Sequence, residues 1–175
     1  MICEDYRFIF VHIPKTGGTS IKNSLPQCDS FFTITRNHFF ASKYHDKYPN
    51  FIKFAFVRNP FDRIVSYYNF LTKQSVSFIH FLKNFTNNVT HEFKMKPYLT
   101  DNEGKVIVDF IGRYENLQND YNTICNKLRI SRNDLRWDNK SRYNSDLYKR
   151  YYNEESFGLV NSIFKEDIDF LGYQF

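Results

Sequence analysis

One stretch, Phe8-Ile9-Phe10-Val11-His12-Ile13-Pro14-Lys15-Thr16-Gly17-Gly18-Thr19-Ser20-Ile21, constrains the fold more than any other part of the chain. Its first half is an apolar run of β-branched and aromatic residues, which predicts a buried strand. Pro14 ends that strand because it has no N–H to give to a sheet ladder. Two glycines, two threonines, a serine and a lysine then lead into a segment, Ile21 to Leu25, that can be helical. A strand running through a glycine turn into a helix start leaves backbone N–H groups without intrahelical partners. The helix dipole and nearby hydroxyls add to the pull on an anion. Lys15, Thr16, Gly17, Gly18, Thr19 and Ser20 are therefore the candidate residues of a phosphate cradle, with Lys15 carrying its charge. The loop is not a Walker A sequence, in which the lysine follows the glycines. Taken by itself it also allows an ordinary strand-to-helix turn.

A second apolar run, Phe51 to Val57, reads as a strand covered on both faces, as in a parallel sheet. It passes straight into Arg58-Asn59-Pro60-Phe61-Asp62-Arg63-Ile64-Val65-Ser66-Tyr67-Tyr68. Asn59 is a good N-cap and Pro60 a good first helical residue. Phe61, Ile64, Val65 and Tyr68 then recur at helical spacing and mark the buried face. Arg58 and Ser66 can reach one side of this helix, and a guanidinium with a hydroxyl suits a phosphate. The residues equally allow Arg58 to pair with a neighbouring carboxylate.

The string His12 to Ser20 resembles the 5′-phosphosulfate loop of sulfotransferases that use 3′-phosphoadenosine-5′-phosphosulfate (PAPS), most of all the carbohydrate-directed branch. The run Arg-Asn-Pro-x-x-Arg-x-x-Ser-x-Tyr is similar to that family's 3′-phosphate motif, with Arg58 and Ser66 on its ligand positions. Arg113-Tyr114-Glu115-Asn116-Leu117 and the closing Gly-Tyr-x-Phe also look like the family, so the resemblance covers nearly the whole chain. It implies transfer of a sulfuryl group from PAPS to a hydroxyl acceptor, a glycan by analogy with that branch, leaving adenosine 3′,5′-bisphosphate. It also implies that Lys140 and Ser141, in a basic loop before the last helices, contact the nucleotide.

Transfer needs a base for the acceptor hydroxyl, and imidazole suits neutral pH. Among five histidines, His38 is the candidate: it lies between the phosphate motifs at an expected helix start and matches a family position where histidine is the base. His45, seven residues on, is the second choice, whereas His12 reads as packed inside the strand run. A sulfuryl group carries less charge than a phosphoryl group, so fixed donors suffice and no metal is expected. No His/Cys/carboxylate set has metal spacing. The rival readings are an ATP-dependent small-molecule kinase on a P-loop-like fold and a nucleotide-binding relative that has lost transfer.

Strands alternating with helices predict an α/β fold, a parallel sheet flanked by helices with a P-loop-like nucleotide-binding core. At 175 residues the chain is expected to be a single domain over 1–175. Further expected elements are a strand at 31–35, a helix opened by Asn37, a strand at 106–111, a helix from Leu117 to Leu128, and a helix within 151–175. The net charge of +5, from 24 basic and 19 acidic residues, suits an anionic ligand but forms no block that would suggest nucleic acid. The 20 Phe and 13 Tyr are expected to fill core and surface rather than to form a stacking platform for bases. Three cysteines without metal-type spacing make a disulfide framework unexpected and a reducing, cytoplasmic setting the simplest. No apolar run reaches the roughly eighteen residues of a membrane span.

Overall fold

A computed structural model of the chain describes residues 1–26, 28, 39–135 and 145–175. The elements in order are β1 (Ile2–Cys3), β2 (Phe8–Val11), α1 (Gly18–Ser24), α2 (Ser42–His45), β3 (Ile52–Val57), α3 (Pro60–Thr72), α4 (Phe78–Thr86), α5 (Lys96–Leu99), β4 (Phe110–Arg113), α6 (Leu117–Leu128), α7 (Glu154–Ile163) and α8 (Lys165–Leu171). The expected α/β architecture is the observed one. Among the described residues the four strands form one sheet in the order β1-β2-β3-β4. β2 pairs parallel with β3, from Phe8 opposite Ile52 to Val11 opposite Ala55. β3 pairs parallel with β4, from Phe54 opposite Phe110 to Val57 opposite Arg113. Only β1, too short to show any periodicity in the sequence, runs antiparallel to its neighbour β2.

The chain divides into two compact units, one built from Met1–Val57 and the stretch that begins at Pro97, the other from Arg58–Lys96 and the closing stretch to Phe175. The first unit holds the sheet. Its core joins Phe8, Phe10, Phe54 and Phe56 of the strands to Ile21 and Leu25 and to the α6 face of Leu117, Tyr121, Ile124 and Leu128. That face is the one the helical spacing predicts. The second unit packs α3, α4 and α7 around Phe61, Ile64, Val65, Tyr68, Phe78, Phe81, Leu82, Phe85, Val160 and Phe164. Most of its aromatic pairs meet edge-on or tilted, Phe85 against Phe93 at 4.7 Å and Tyr68 against Phe78 at 5.2 Å, a geometry that ring quadrupoles favour, while Phe61 and Phe157 stack. Many of the Phe and Tyr thus fill cores, while Tyr6, Phe70, Phe157 and Phe175 are exposed.

Two expectations shift. The strand expected at 106–111 begins at Phe110 instead. Val106 forms a lone antiparallel bridge with Thr100, and the Asp109 carboxylate accepts the Lys53 N–H at 2.7 Å, in place of a ladder carbonyl. The closing helix is two helices that meet at Phe164. The strand at 31–35 and the Asn37 cap lie outside the described residues, while α2 starts at Ser42 with Ala41 as its cap.

The cysteine expectation is overturned. Cys3 and Cys28 form a disulfide, and Cys125 is buried and free. Asp5 brings a third ligand atom within 4.8 Å of the two sulfurs, but those sulfurs are spent on each other. The sequence missed this pair because pairing depends on where β1 and the end of the α1 segment meet in space, not on spacing. With it goes the argument from cysteine usage to a reducing compartment, since disulfides persist in oxidising ones. No helix among the described residues is long and apolar enough to cross a membrane.

Candidate functional site

The loop expected to cradle an anion follows the end of β2 and leads into α1. Lys15 (φ 66°) and Gly17 (φ 83°) both take the left-handed conformation, with Thr16 between them outside it. Such alternation of hand turns successive N–H groups toward one side and makes an anion-binding concavity. A lysine in that region is uncommon, and such backbone cost concentrates at functional loops. Thr16 is fully buried and its hydroxyl donates to the Ile13 carbonyl at 2.9 Å. The side chain therefore braces the loop, and the group it can offer a ligand is its backbone N–H. Thr19 is exposed and Ser20 buried at the first turn of α1. Residues 15–20 hold donors and a cation and no carboxylate, which fits a phosphosulfate.

Two glycines are required for different reasons. Gly17 caps α1 in the left-handed region, and a Cβ there would press on Leu117 and Tyr114 at 3.0 and 3.1 Å. A Cβ on Gly18 would overlap the His12 ring. His12 in turn stacks on Phe10, 5.6 Å between centroids. The sequence reading of His12 as a packed residue holds, with the addition that it packs against the cradle itself. The far end of α1 is tied to α6, where the Tyr121 hydroxyl donates to the Ser24 carbonyl at 2.6 Å. Burial drives the Tyr121 phenol well above its ordinary value, with nearby Cys125 adding to the shift, so it stays a donor at any physiological pH.

The second motif is built in the other unit. Asn59 caps α3, its side-chain oxygen accepting the Phe61 N–H at 3.0 Å, and Pro60 occupies the first turn as expected. Arg58 is only 3 % exposed, and its Nε donates to the Asp62 carboxylate at 2.7 Å. Asp62 and Ser66 are four apart and both buried, so they share a face of α3 one turn from each other. The carboxylate alternative for Arg58 is thus realised, through Nε. An Asp gripping Nε fixes the plane of the guanidinium, and arginine binds phosphate through its planar fork. Asp62 is the neighbouring carboxylate that the sequence allowed for. Its signal was present: a carboxylate four residues after the arginine, in the first turn.

His38, Lys140 and Ser141 lie outside the described residues. Of the other histidines, His45 ends α2 with its Nδ1 buried and without a hydrogen-bond partner. His80 is exposed and meets the Asn84 amide at 3.0 Å.

Comparison with known proteins agrees with this geometry. An uncharacterised protein from the archaeon Archaeoglobus fulgidus is 37 % identical over 89 residues, covering 47 % of this chain and 72 % of the archaeal one. No solved structure matches the chain significantly. The model of the sulfotransferase family matches residues 1–174. With a sheet whose strands end in a phosphate-type loop and in an arginine-led helix cap, the chain belongs to the sulfotransferase family.

Proposed function

We propose that this sulfotransferase takes its sulfuryl group from PAPS and passes it to a hydroxyl, a carbohydrate hydroxyl by analogy with the branch its motifs resemble. The observation that carries the proposal is that two separate phosphate-type motifs stand after neighbouring parallel strands, β2 and β3. Two dedicated phosphate sites suit a nucleotide with phosphates at both ends of its ribose, and ATP has none at the 3′ position.

When bound, PAPS supplies the sulfuryl group and a bisphosphate leaving group. The loop N–H groups of residues 15–20 hold the 5′ phosphosulfate. The Lys15 ammonium lies close enough in sequence to the cradle to offset charge growing on the leaving phosphate oxygen, a fixed electrostatic contribution that strengthens in the transition state. Arg58, its plane fixed by Asp62, and the Ser66 hydroxyl hold the 3′-phosphate. Lys140 and Ser141 add contacts to the nucleotide. His38 takes the proton from the acceptor hydroxyl as its oxygen bonds to sulfur, and the electron pair of the breaking sulfur–oxygen bond stays on the departing phosphate.

Calorimetric titration with adenosine 3′,5′-bisphosphate, and separately with ATP and Mg²⁺, tests the donor. Tighter binding of the bisphosphate, unaffected by chelator, is the expected result. Preference for ATP with Mg²⁺ would replace this reading with the kinase one.

A further inference from the structure

The strongest unassigned feature outside the two motifs is the closing segment Gly172–Phe175 and what it grips. Gly172 turns the chain at the end of α8 in the left-handed region, φ 66°, and the segment then lies against the start of α3. The Asn59 amide, whose oxygen caps α3, donates from Nδ2 to the Gln174 carbonyl at 2.8 Å and to the Tyr148 hydroxyl at 3.4 Å. Phe175 sets its ring edge-on to Phe61 at 5.1 Å, to Tyr152 at 5.1 Å and to Phe157 at 5.1 Å. Tyr152 completes the clasp by donating its hydroxyl to the Phe61 carbonyl at 2.8 Å. All of these groups belong to the second unit.

We infer that Phe175 and the Asn59–Gln174 bond are positioning elements for Arg58, holding the first turn of α3 where its guanidinium can take the 3′-phosphate. The connection is short and physical. The clasp fixes Phe61, the next residue is Asp62, and Asp62 grips Arg58 Nε at 2.7 Å. Phe175 is 39 % exposed, so it is an unusual choice for a purely structural wedge, and Asn59 spends both ends of its amide on this junction. A guanidinium plane tilted by a loosened first turn keeps its charge but loses the paired geometry that phosphate recognition requires. The segment acts through Arg58 and touches no ligand itself.

The inference rests on the proposed 3′-phosphate role of Arg58, and the test separates the two. Affinities for adenosine 3′,5′-bisphosphate and for adenosine 5′-monophosphate are measured by calorimetry on the full chain, for the wild type and for Phe175→Ala, Phe175→Tyr and Asn59→Ser. Serine retains a capping oxygen but lacks the amide that reaches Gln174, and it leaves every ring in place should Phe175→Ala fold poorly. Phe175→Ala and Asn59→Ser are expected to lose on the order of tenfold in affinity for the bisphosphate, with the monophosphate within about twofold of wild type. Phe175→Tyr, which keeps the ring, is expected to restore the preference. Equal losses for both nucleotides, or an unchanged preference in both variants, would overturn the inference and leave the segment a structural clasp. A wild type that does not prefer the bisphosphate would remove the Arg58 reading itself, and the positioning role with it.

Discussion

At the scale of single residues, the cradle divides labour between side chain and backbone. Thr16 is buried and holds the loop through Ile13, Lys15 accepts an unfavourable φ of 66°, and in the proposed function the N–H groups are the part that takes the ligand. The lysine ammonium is the one element of the cradle whose charge can matter more in the transition state than in the ground state. Lys15→Ala is therefore expected to lower the transfer rate by about a hundredfold or more while weakening bisphosphate binding by no more than roughly tenfold. Single-turnover rates alongside calorimetry check this, and an equal loss in both would make Lys15 a binding residue only. At Arg58 the charge is buried and already balanced by Asp62, an arrangement in which loss of either partner leaves an uncompensated ion.

At the scale of elements, α1 is only seven residues long, too short to be stable without tertiary support. Gly18 lets it approach His12, and Tyr121 holds its far end through the Ser24 carbonyl. Gly18→Ala pushes a methyl group into the His12 ring and is expected to cost about 1–3 kcal/mol, read from urea denaturation, with nucleotide affinity falling in parallel. The double variant with His12→Ala tests the contact directly. If the clash is the cause, the second change recovers part of the loss, whereas simple addition of the two costs would place the effect elsewhere. α3 was legible from its cap, its proline and its apolar spacing. The bounds of β4 were not, because Val106 and Ile107 look strand-like yet lie outside the sheet, and the Asp109 side chain takes the N–H of Lys53.

At the scale of the whole molecule, the Cys3–Cys28 disulfide closes a loop, with a sequence separation of 25, that contains β2, the cradle and α1. Cross-linking a loop of that size removes denatured-state freedom equivalent to about 3 kcal/mol. Cys3→Ser, or reduction of the wild type, is expected to lower the denaturant midpoint by a corresponding amount. Added reductant should then have no further effect on the variant. Unchanged stability under both treatments would mean that the two thiols do not pair in solution. The second unit has no covalent tie among its described residues and relies on aromatic packing, with the buried Asp167 carboxylate accepting the Met95 and Lys96 N–H groups at 2.7 and 2.8 Å.

The sequence by itself determined the α/β class, β2 and β3, the glycine turn after one strand, the capped helix after the other, and the buried face of α6. These rest on apolar periodicity, turn residues and caps, all of which act over a few neighbouring positions. Only the tertiary structure decided that Cys3 pairs with Cys28, that β1 joins the sheet antiparallel, that His12 seats against Gly18, and that Asn59 reaches Gln174 across 115 residues. Such contacts carry no local signature. Each forms because the packed core brings distant backbone together, so that loop-closure entropy is already met and shape and hydrogen-bond complementarity choose the partner.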